Sequence, residues 1–285
     1  MNYRHIYHAG NLCDVVKHVV LVMLLEHLRG KDSAFCILDT HAGVGLYDLN
    51  DARAAKTAEA EAGIISLLKA GTNPEFSSYI NALREHNPAW NAEKGSDGFQ
   101  FYPGSPLLAR HFLRPQDRLI ACELHIEDAA ELRRAIGRAK NIAVHHRDGY
   151  EALRAFLPPV EKRGLVVIDP PYEQPDELSR LVTEIAAAHQ RWPQGMFMIW
   201  YPVKERPSLW TFHEALAASG IPKMLCAELL FQDESRSDRL NGSGLILINP
   251  PWQMDERLRI VFPLLHDMLR TQHRESVVKW LRGEE

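Results

Sequence analysis

The chain has few cysteines, no excess of basic charge and no long apolar run, and each shortage removes a class of protein. Four cysteines in 285 residues (Cys13, Cys36, Cys122 and Cys226) stand far apart, with no CxxC pair among them. That spacing excludes a disulfide framework and a thiolate zinc site. Three of the four lie in apolar, strand-like runs where a small buried thiol is the ordinary occupant. Lys+Arg total 33 against 37 Asp+Glu, a formal net charge of -4. A globally basic nucleic-acid binder is thereby excluded, so any polyanion must be met by a local patch. No apolar run nears the roughly 20 residues that span a bilayer, and the opening MNYRHIYHAGNLCDVVKH is too polar for a signal peptide. A cytoplasmic protein without membrane contact is expected. Solenoid repeats and low-complexity tracts are missing as well.

What is present suits an α/β protein. At 46% hydrophobic the chain can bury a full core, in one large domain or a domain with an insertion. Val15, Val16, Val19, Val20, Met23, Leu24 and Leu28 recur at helical spacing from Asn11 to Arg29, and Gly30 closes the pattern. Short apolar runs follow at 34–39, 118–123, 141–145, 164–169, 195–200, 223–230 and 244–249. Runs apolar on both faces belong to a parallel sheet covered by helices. Helical segments at 126–137, 149–156, 177–190 and 207–219 alternate with them, which predicts right-handed crossovers and a doubly wound sheet. The last two runs are joined only by the polar segment 231–243, so the final strand is expected to be antiparallel to a mostly parallel, seven-stranded sheet. The Ala-rich and polar helices between about 50 and 100 exceed what one crossover needs. They are expected to form a small inserted helical subdomain, leaving 1–49 and 101–285 as a Rossmann-like domain.

In open α/β sheets ligands bind beyond the carboxyl ends of the strands, and those ends carry the residues of interest here. The first strand runs into LDTHAGVGLY, where Gly43 and Gly45 admit a close backbone approach. GVGLYD lacks the third glycine of a dinucleotide fingerprint, so NAD is weakly supported and a plain tight turn stays open. ACELH places Glu123 where an acid grips two ribose hydroxyls, and HHRDGY places Asp148 and Gly149 beside an adenine ring. Asp148 also has the reading of a helix cap, as does Ser105 in PGSP. Together these residues trace adenosine without a pyrophosphate cradle, which makes S-adenosylmethionine the natural ligand. The fourth strand ends in DPPY. Asp169 and the carbonyl of Pro170 are two acceptors that can orient an exocyclic amine, and Tyr172 can stack on its base. INPPW, eighty residues later, has similar residue types, but at the carboxyl end of an antiparallel strand it faces away from the ligand. Its prolines would end a strand with Trp252 packing nearby. Fourteen histidines show no helical HxxxH pair with a third ligand, so no metal is expected.

YRHIYHAGNLCDVVKH, LDTHAGVG, FYPGSPLLA, CELH, RDGY, IDPPYE, WYPV and INPPW, in this order, resemble the bacterial 23S rRNA adenine-N6 methyltransferase J family over nearly the whole chain. The resemblance implies a Rossmann-like class I methyltransferase fold and methylation of N6 of one adenine in 23S ribosomal RNA, with S-adenosylmethionine as donor. It implies Asp169 as the catalytic residue, with Lys17, His18, His41, Gly43, Ser105, Glu123, Asp148, Gly149 and Asp169 around the donor and Lys17 paired with the methionyl carboxylate. Tyr3 takes the RNA-contact position, and Arg4 and His5 share its segment. Leu12, Cys13 and Val44 depart from the commoner family wording. Arg236 and Arg239 add local positive charge, and few phosphate contacts with a modest salt dependence are expected. No obligate protein partner is inferred. DPPY by itself does not separate RNA from DNA, so a DNA adenine-N6 methyltransferase is the alternative. A DNA-binding protein for use of external DNA is a second, weakened because both donor and amine sites are retained.

Overall fold

The computed structural model describes residues 5–233 and 239–283. In chain order the elements are α1 (Leu12–Arg29), β1 (Cys36–Asp39), β2 (Leu46–Asp48), α2 (Ala52–Thr57), α3 (Ser66–Lys69) and α4 (Ser77–Glu85). Then come β3 (Phe101–Pro103), α5 (Ser105–Phe112), β4 (Arg118–Glu123), α6 (Ile126–Ile136), β5 (Ile142–His146), α7 (Gly149–Phe156) and β6 (Gly164–Ile168). The chain ends with α8 (Glu177–Arg191), β7 (Met196–Val203), α9 (Arg206–Ala218), β8 (Met224–Leu230), β9 (Gly242–Ile248), α10 (Met254–Leu269) and β10 (Glu275–Arg282). None of the described helices is long and apolar enough to cross a membrane.

The main sheet has eight strands in the order β10-β8-β9-β7-β6-β1-β4-β5. Ladders β4–β5, β1–β4, β1–β6 and β6–β7 are parallel, while β9 runs antiparallel to both β7 and β8. All seven expected runs are strands, and the seventh is antiparallel as its short connection demands. It is not the last strand, and the count of seven is corrected to eight. β10 pairs antiparallel with β8 at the sheet edge. Its sequence ESVVKWLR carries charges at both ends and only Val278 is buried, so it lacks the two-faced apolar signature of its neighbours.

The chain adds β4 and β5 on one side of β1 and β6 on the other, so the order of strands reverses between β1 and β6. That reversal opens a crevice at their carboxyl ends. Alternation along β7 divides the core. Met196 and Met198 join the cluster around α1, α5 and α10, while Phe197, Ile199 and Tyr201 join that under α7, α8 and α9. Residues 49–100 leave and return at one place, because β2 and β3 pair antiparallel across them. Ile64, Leu67, Phe76, Tyr79 and Leu83 from this stretch are buried in the cluster that holds α1.

Enclosure on several sides changes the character of α1. Its apolar stripe is buried as expected, but so are Asp14, Lys17 and His18 on the opposite stripe. Charged groups of this kind stay buried only when paired, and they are paired at the crevice.

Candidate active site

A cavity of about 310 Å³ lies beyond the carboxyl ends of β1, β4, β5 and β6. His5, Lys17, His18, His41, Gly43, Ser105, Glu123, Asp148, Gly149, Asp169 and Pro170 all line it. Tyr3, Arg4 and Arg236 lie outside the described residues.

Glu123, the last residue of β4, is nearly buried. Its Oε2 accepts the Gly43 N–H at 2.9 Å and its Oε1 the His125 N–H at 2.8 Å. Burial pushes its carboxyl pKa upward, and the two backbone bonds oppose that shift. Each oxygen retains a lone pair for a hydroxyl donor, since a carboxylate accepts about four hydrogen bonds. Space around it is kept by glycines. A Cβ on Gly43, whose φ is +61°, would meet the Tyr47 phenol at 2.3 Å. One on Gly149 would meet the Thr40 carbonyl at 2.5 Å and the His41 ring at 2.7 Å. Asp148 is a helix cap: its Oδ1 accepts from Tyr150 and Glu151 N–H at 2.9 and 3.1 Å. It lines the cavity as well, so the two readings of Asp148 are compatible. Ser105 is not a cap. It is the first residue of α5, whose N-cap is Gly104, and its side chain bonds Asp39.

The two cavity histidines are neutral. Burial lowers the pKa of His41 to about 4, and burial followed by the Lys17 charge lowers that of His18 to about 3. Thr40 spends its one hydroxyl proton on the Val167 carbonyl at 2.9 Å, so its Oγ1 must accept the proton on His41 Nδ1 at 2.8 Å. The network thereby assigns His41 Nε2 as an acceptor. His18 Nδ1 meets the Tyr102 hydroxyl at 2.7 Å, which in turn meets that of Tyr79 at 3.0 Å.

Lys17 sits between two carboxylates, 2.8 Å from Asp14 Oδ1 and 2.5 Å from Asp169 Oδ2. Burial disfavours its charge, but the two acids more than offset this and raise its pKa. In this structure the ammonium pairs with Asp14 and Asp169, where the resemblance implied a donor carboxylate. Two of its three N–H donors are used in this way. Asp14 also accepts from His5 Nε2 and the Gly10 N–H, both at 2.9 Å, and its pKa lies well below the usual range. Burial opposes that shift, and the charges of His5 and Lys17 cause it. Farther along the same turn, Glu59 holds His8 at 3.0 Å and Asn11 at 2.9 Å.

Tyr172 is not brought into this cavity. It lines a neighbouring one of about 190 Å³ with Gln174, Pro175, Leu178, Pro202 and Leu209, and its hydroxyl donates to the Trp200 carbonyl. The echo motif falls where its antiparallel strand sends it. Asn249 Nδ2 donates to the Pro193 and Gly195 carbonyls at 2.8 Å, at the opposite end of the sheet. Trp252 does not pack there, being 87% exposed.

Sequence reasoning missed Asp14, Asp39, His125 and Asp128. Asp14 and Lys17 are spaced i, i+3 on the polar stripe of α1, which was the available signal. Asp39 ends β1 fully buried. Its pKa is pushed up to about 7 by burial, and its Oδ2 has no hydrogen-bond partner among the described residues. His125 and Asp128 line the cavity, and His125 Nε2 is likewise buried and unpartnered. One further cluster, His213, Cys226 and Glu228, has ligand-like composition. The Tyr201 hydroxyl fills its centre, 2.7 Å from Glu228, 3.0 Å from His213 and 3.3 Å from Cys226, and Arg206 pairs with Glu228 at 2.6 Å. It is a hydrogen-bonded core network.

Residues 32–282 match the family described as ribosomal RNA large subunit methyltransferase D, RlmJ. The chain belongs to this family. Two curated relatives align with all of it and over their own full length: the ribosomal RNA large subunit methyltransferase J of Escherichia coli (strain K12) at 40% identity, and that of Haemophilus influenzae at 37%. The crystal structure of a Legionella pneumophila protein superposes with a TM-score of 0.85 at 33% identity, covering 95% of this chain and 98% of the other. As a methyltransferase of this family the protein takes its methyl group from S-adenosylmethionine. The cavity fits that donor: a buried acid stands at the β4 end, the glycine cradle admits a flat ring beside His41, and His125 Nε2 is an unused buried polar atom.

Glu123→Ala is expected to weaken donor binding by roughly 1–3 kcal/mol, as for loss of a charge-assisted hydrogen bond. Titration calorimetry with S-adenosylmethionine checks it, and unchanged affinity would remove Glu123 from the donor site.

Proposed function

We propose that this methyltransferase modifies N6 of an adenine in 23S ribosomal RNA. The observation that supports this best is the placement of Asp169 and Pro170 on the rim of the donor cavity, with Asp169 fixed by Lys17. When bound, S-adenosylmethionine supplies an electrophilic methyl group on a sulfonium. The remaining work is positioning by this chain.

An exocyclic amine of adenine is a poor nucleophile, because its lone pair is delocalised into the ring. It has two N–H donors, and two acceptors are at hand in the Asp169 carboxylate and the Pro170 carbonyl. Lys17 occupies Asp169 Oδ2, so we assign one amine hydrogen to Oδ1 and the other to Pro170. Held in this way, the nitrogen is favoured toward the tetrahedral geometry in which its lone pair points out of the ring plane. Glu123, Asp148, Gly149 and neutral His41 are assigned to the adenosine of the donor. Lys17 and His18 stand nearest the reacting centre, and His5 begins the segment assigned to RNA. We retain residues 50–100 as an inserted unit. Its Glu59 steadies the turn at His8 and Asn11, from which the RNA-contacting segment departs.

Methyl transfer from labelled donor to protein-free large-subunit rRNA and to adenine-containing DNA tests this reading, with the product nucleoside identified. N6-methyladenosine in RNA is expected. Transfer to DNA alone, or a different methylated nucleoside, overturns it.

A further inference from the structure

The sequence nominated Tyr172 as the ring that stacks on the target base, but the structure ties that phenol down elsewhere. Its hydroxyl is spent on the Trp200 carbonyl, its ring packs edge-on to Trp200 at 5.6 Å and 70°, and it faces the separate 190 Å³ cavity. Its backbone has φ +53°, a left-handed conformation that a bulky residue adopts only when the surroundings impose it.

Trp200 is the aromatic residue beside the reacting centre. It lies near the carboxyl end of β7, on the same face as Met196 and Met198 and therefore on the α1 side, and it is only partly buried. The Lys17 ammonium is 5.9 Å from its ring centroid, and the same ammonium is 2.5 Å from Asp169. The indole is fixed at two points. Its N–H donates to Ser243 Oγ on the neighbouring strand at 2.9 Å, and its backbone carbonyl accepts from Tyr172. Ser243 is itself fully buried in β9. A large, partly exposed ring held this way loses little freedom when a base lies on it, which is the requirement for a stacking platform.

We propose that Trp200 is the surface on which the target adenine stacks, and that Tyr172 is a positioning residue that acts through it. This rests on the reading that the acceptor is an adenine base. The arrangement also accounts for Asp169 and Pro170 meeting the amine at the edge of the base while the indole meets its face.

The test uses the full chain and whichever adenine acceptor the wild type methylates, so that failure of the acceptor reading shows in the wild type and failure of this inference only in the variants. Trp200→Leu is expected to lower kcat/KM for the nucleic acid by about 5- to 150-fold, the range for loss of one base–aromatic stack. Acceptor binding measured by filter retention should weaken in parallel, while donor affinity by calorimetry stays within about twofold. Trp200→Phe should recover most of the loss. Tyr172→Phe, which removes only the hydroxyl, should lose a smaller but measurable part. If Trp200→Leu loses donor binding through misfolding, Trp200→Met replaces it. Wild-type kinetics in the Trp200 variants overturn the proposal. So does a silent Tyr172→Phe together with a severe Tyr172→Leu, which returns the stacking role to Tyr172.

Discussion

Asp169→Asn lowers kcat for methyl transfer by about 10²–10³-fold, while donor binding stays measurable. The magnitude is that of removing one preorganised group aimed at charge that develops in the transition state. Asparagine keeps the volume and one acceptor oxygen, but it has no negative charge to balance positive charge developing on the attacking nitrogen. Its amide N–H₂ also presents donors where the amine needs acceptors. The Lys17 ammonium, which now bonds Asp169 Oδ2, retains Asp14 in the variant, so the buried cation is not stranded and the fold should persist. Single-turnover transfer and calorimetry with S-adenosylmethionine separate the two effects. Turnover like that of the wild type would remove Asp169 from its role.

Lys17→Met is the second large effect, and it acts on stability as well as activity. Asp14 and Lys17 are buried, and without the ammonium Asp14 and Asp169 carry two negative charges with no cation between them. Breaking a buried pair by removing one partner costs about 3–5 kcal/mol, because the remaining charge is left uncompensated. Urea unfolding near pH 7 is expected to show that loss. The pH dependence distinguishes charge stranding from lost packing. In the wild type the Asp14 pKa is held below its ordinary value, so this acid stabilises the fold above about pH 3.8 and the contribution fades as pH falls further. In the variant that carboxyl is raised instead, and acid neutralises it. The penalty of Lys17→Met therefore shrinks as pH is lowered from 7 toward 4. A penalty that is constant over this range would show packing, not charge, to be its source.

Much of the site was legible because the chemistry is concentrated at strand ends that short motifs mark. CELH, RDGY and IDPPYE each end or follow an apolar run, so a parallel sheet brings Glu123, Asp148 and Asp169 to one edge whatever the details of packing. The antiparallel placement that sends INPPW to the other end followed from the lack of a helix in 231–243. Other features were hidden for physical reasons. β10 is an exposed edge strand with charged ends and carries no two-faced apolar signal. Asp14 looks in sequence like a solvated first-turn acid of a helix. It is buried only because α5, β9 and the helices of residues 61–85 enclose α1. Trp252 was expected to pack, yet the turn that follows Asn249 leaves it in solvent.

The sequence by itself determined the fold class, the family and the set of acids and glycines that meet at the cavity, since these follow from periodicity and motif order along the chain. Which groups touch was decided by tertiary structure alone. Lys17 bonds Asp169 across 152 positions, His41 takes its tautomer from Thr40 and Val167, and Tyr172 turns its hydroxyl to Trp200 instead of to a base. Each of these depends on side-chain direction and on which hydrogen-bonding capacity a neighbour has already used, and neither quantity is written in local sequence.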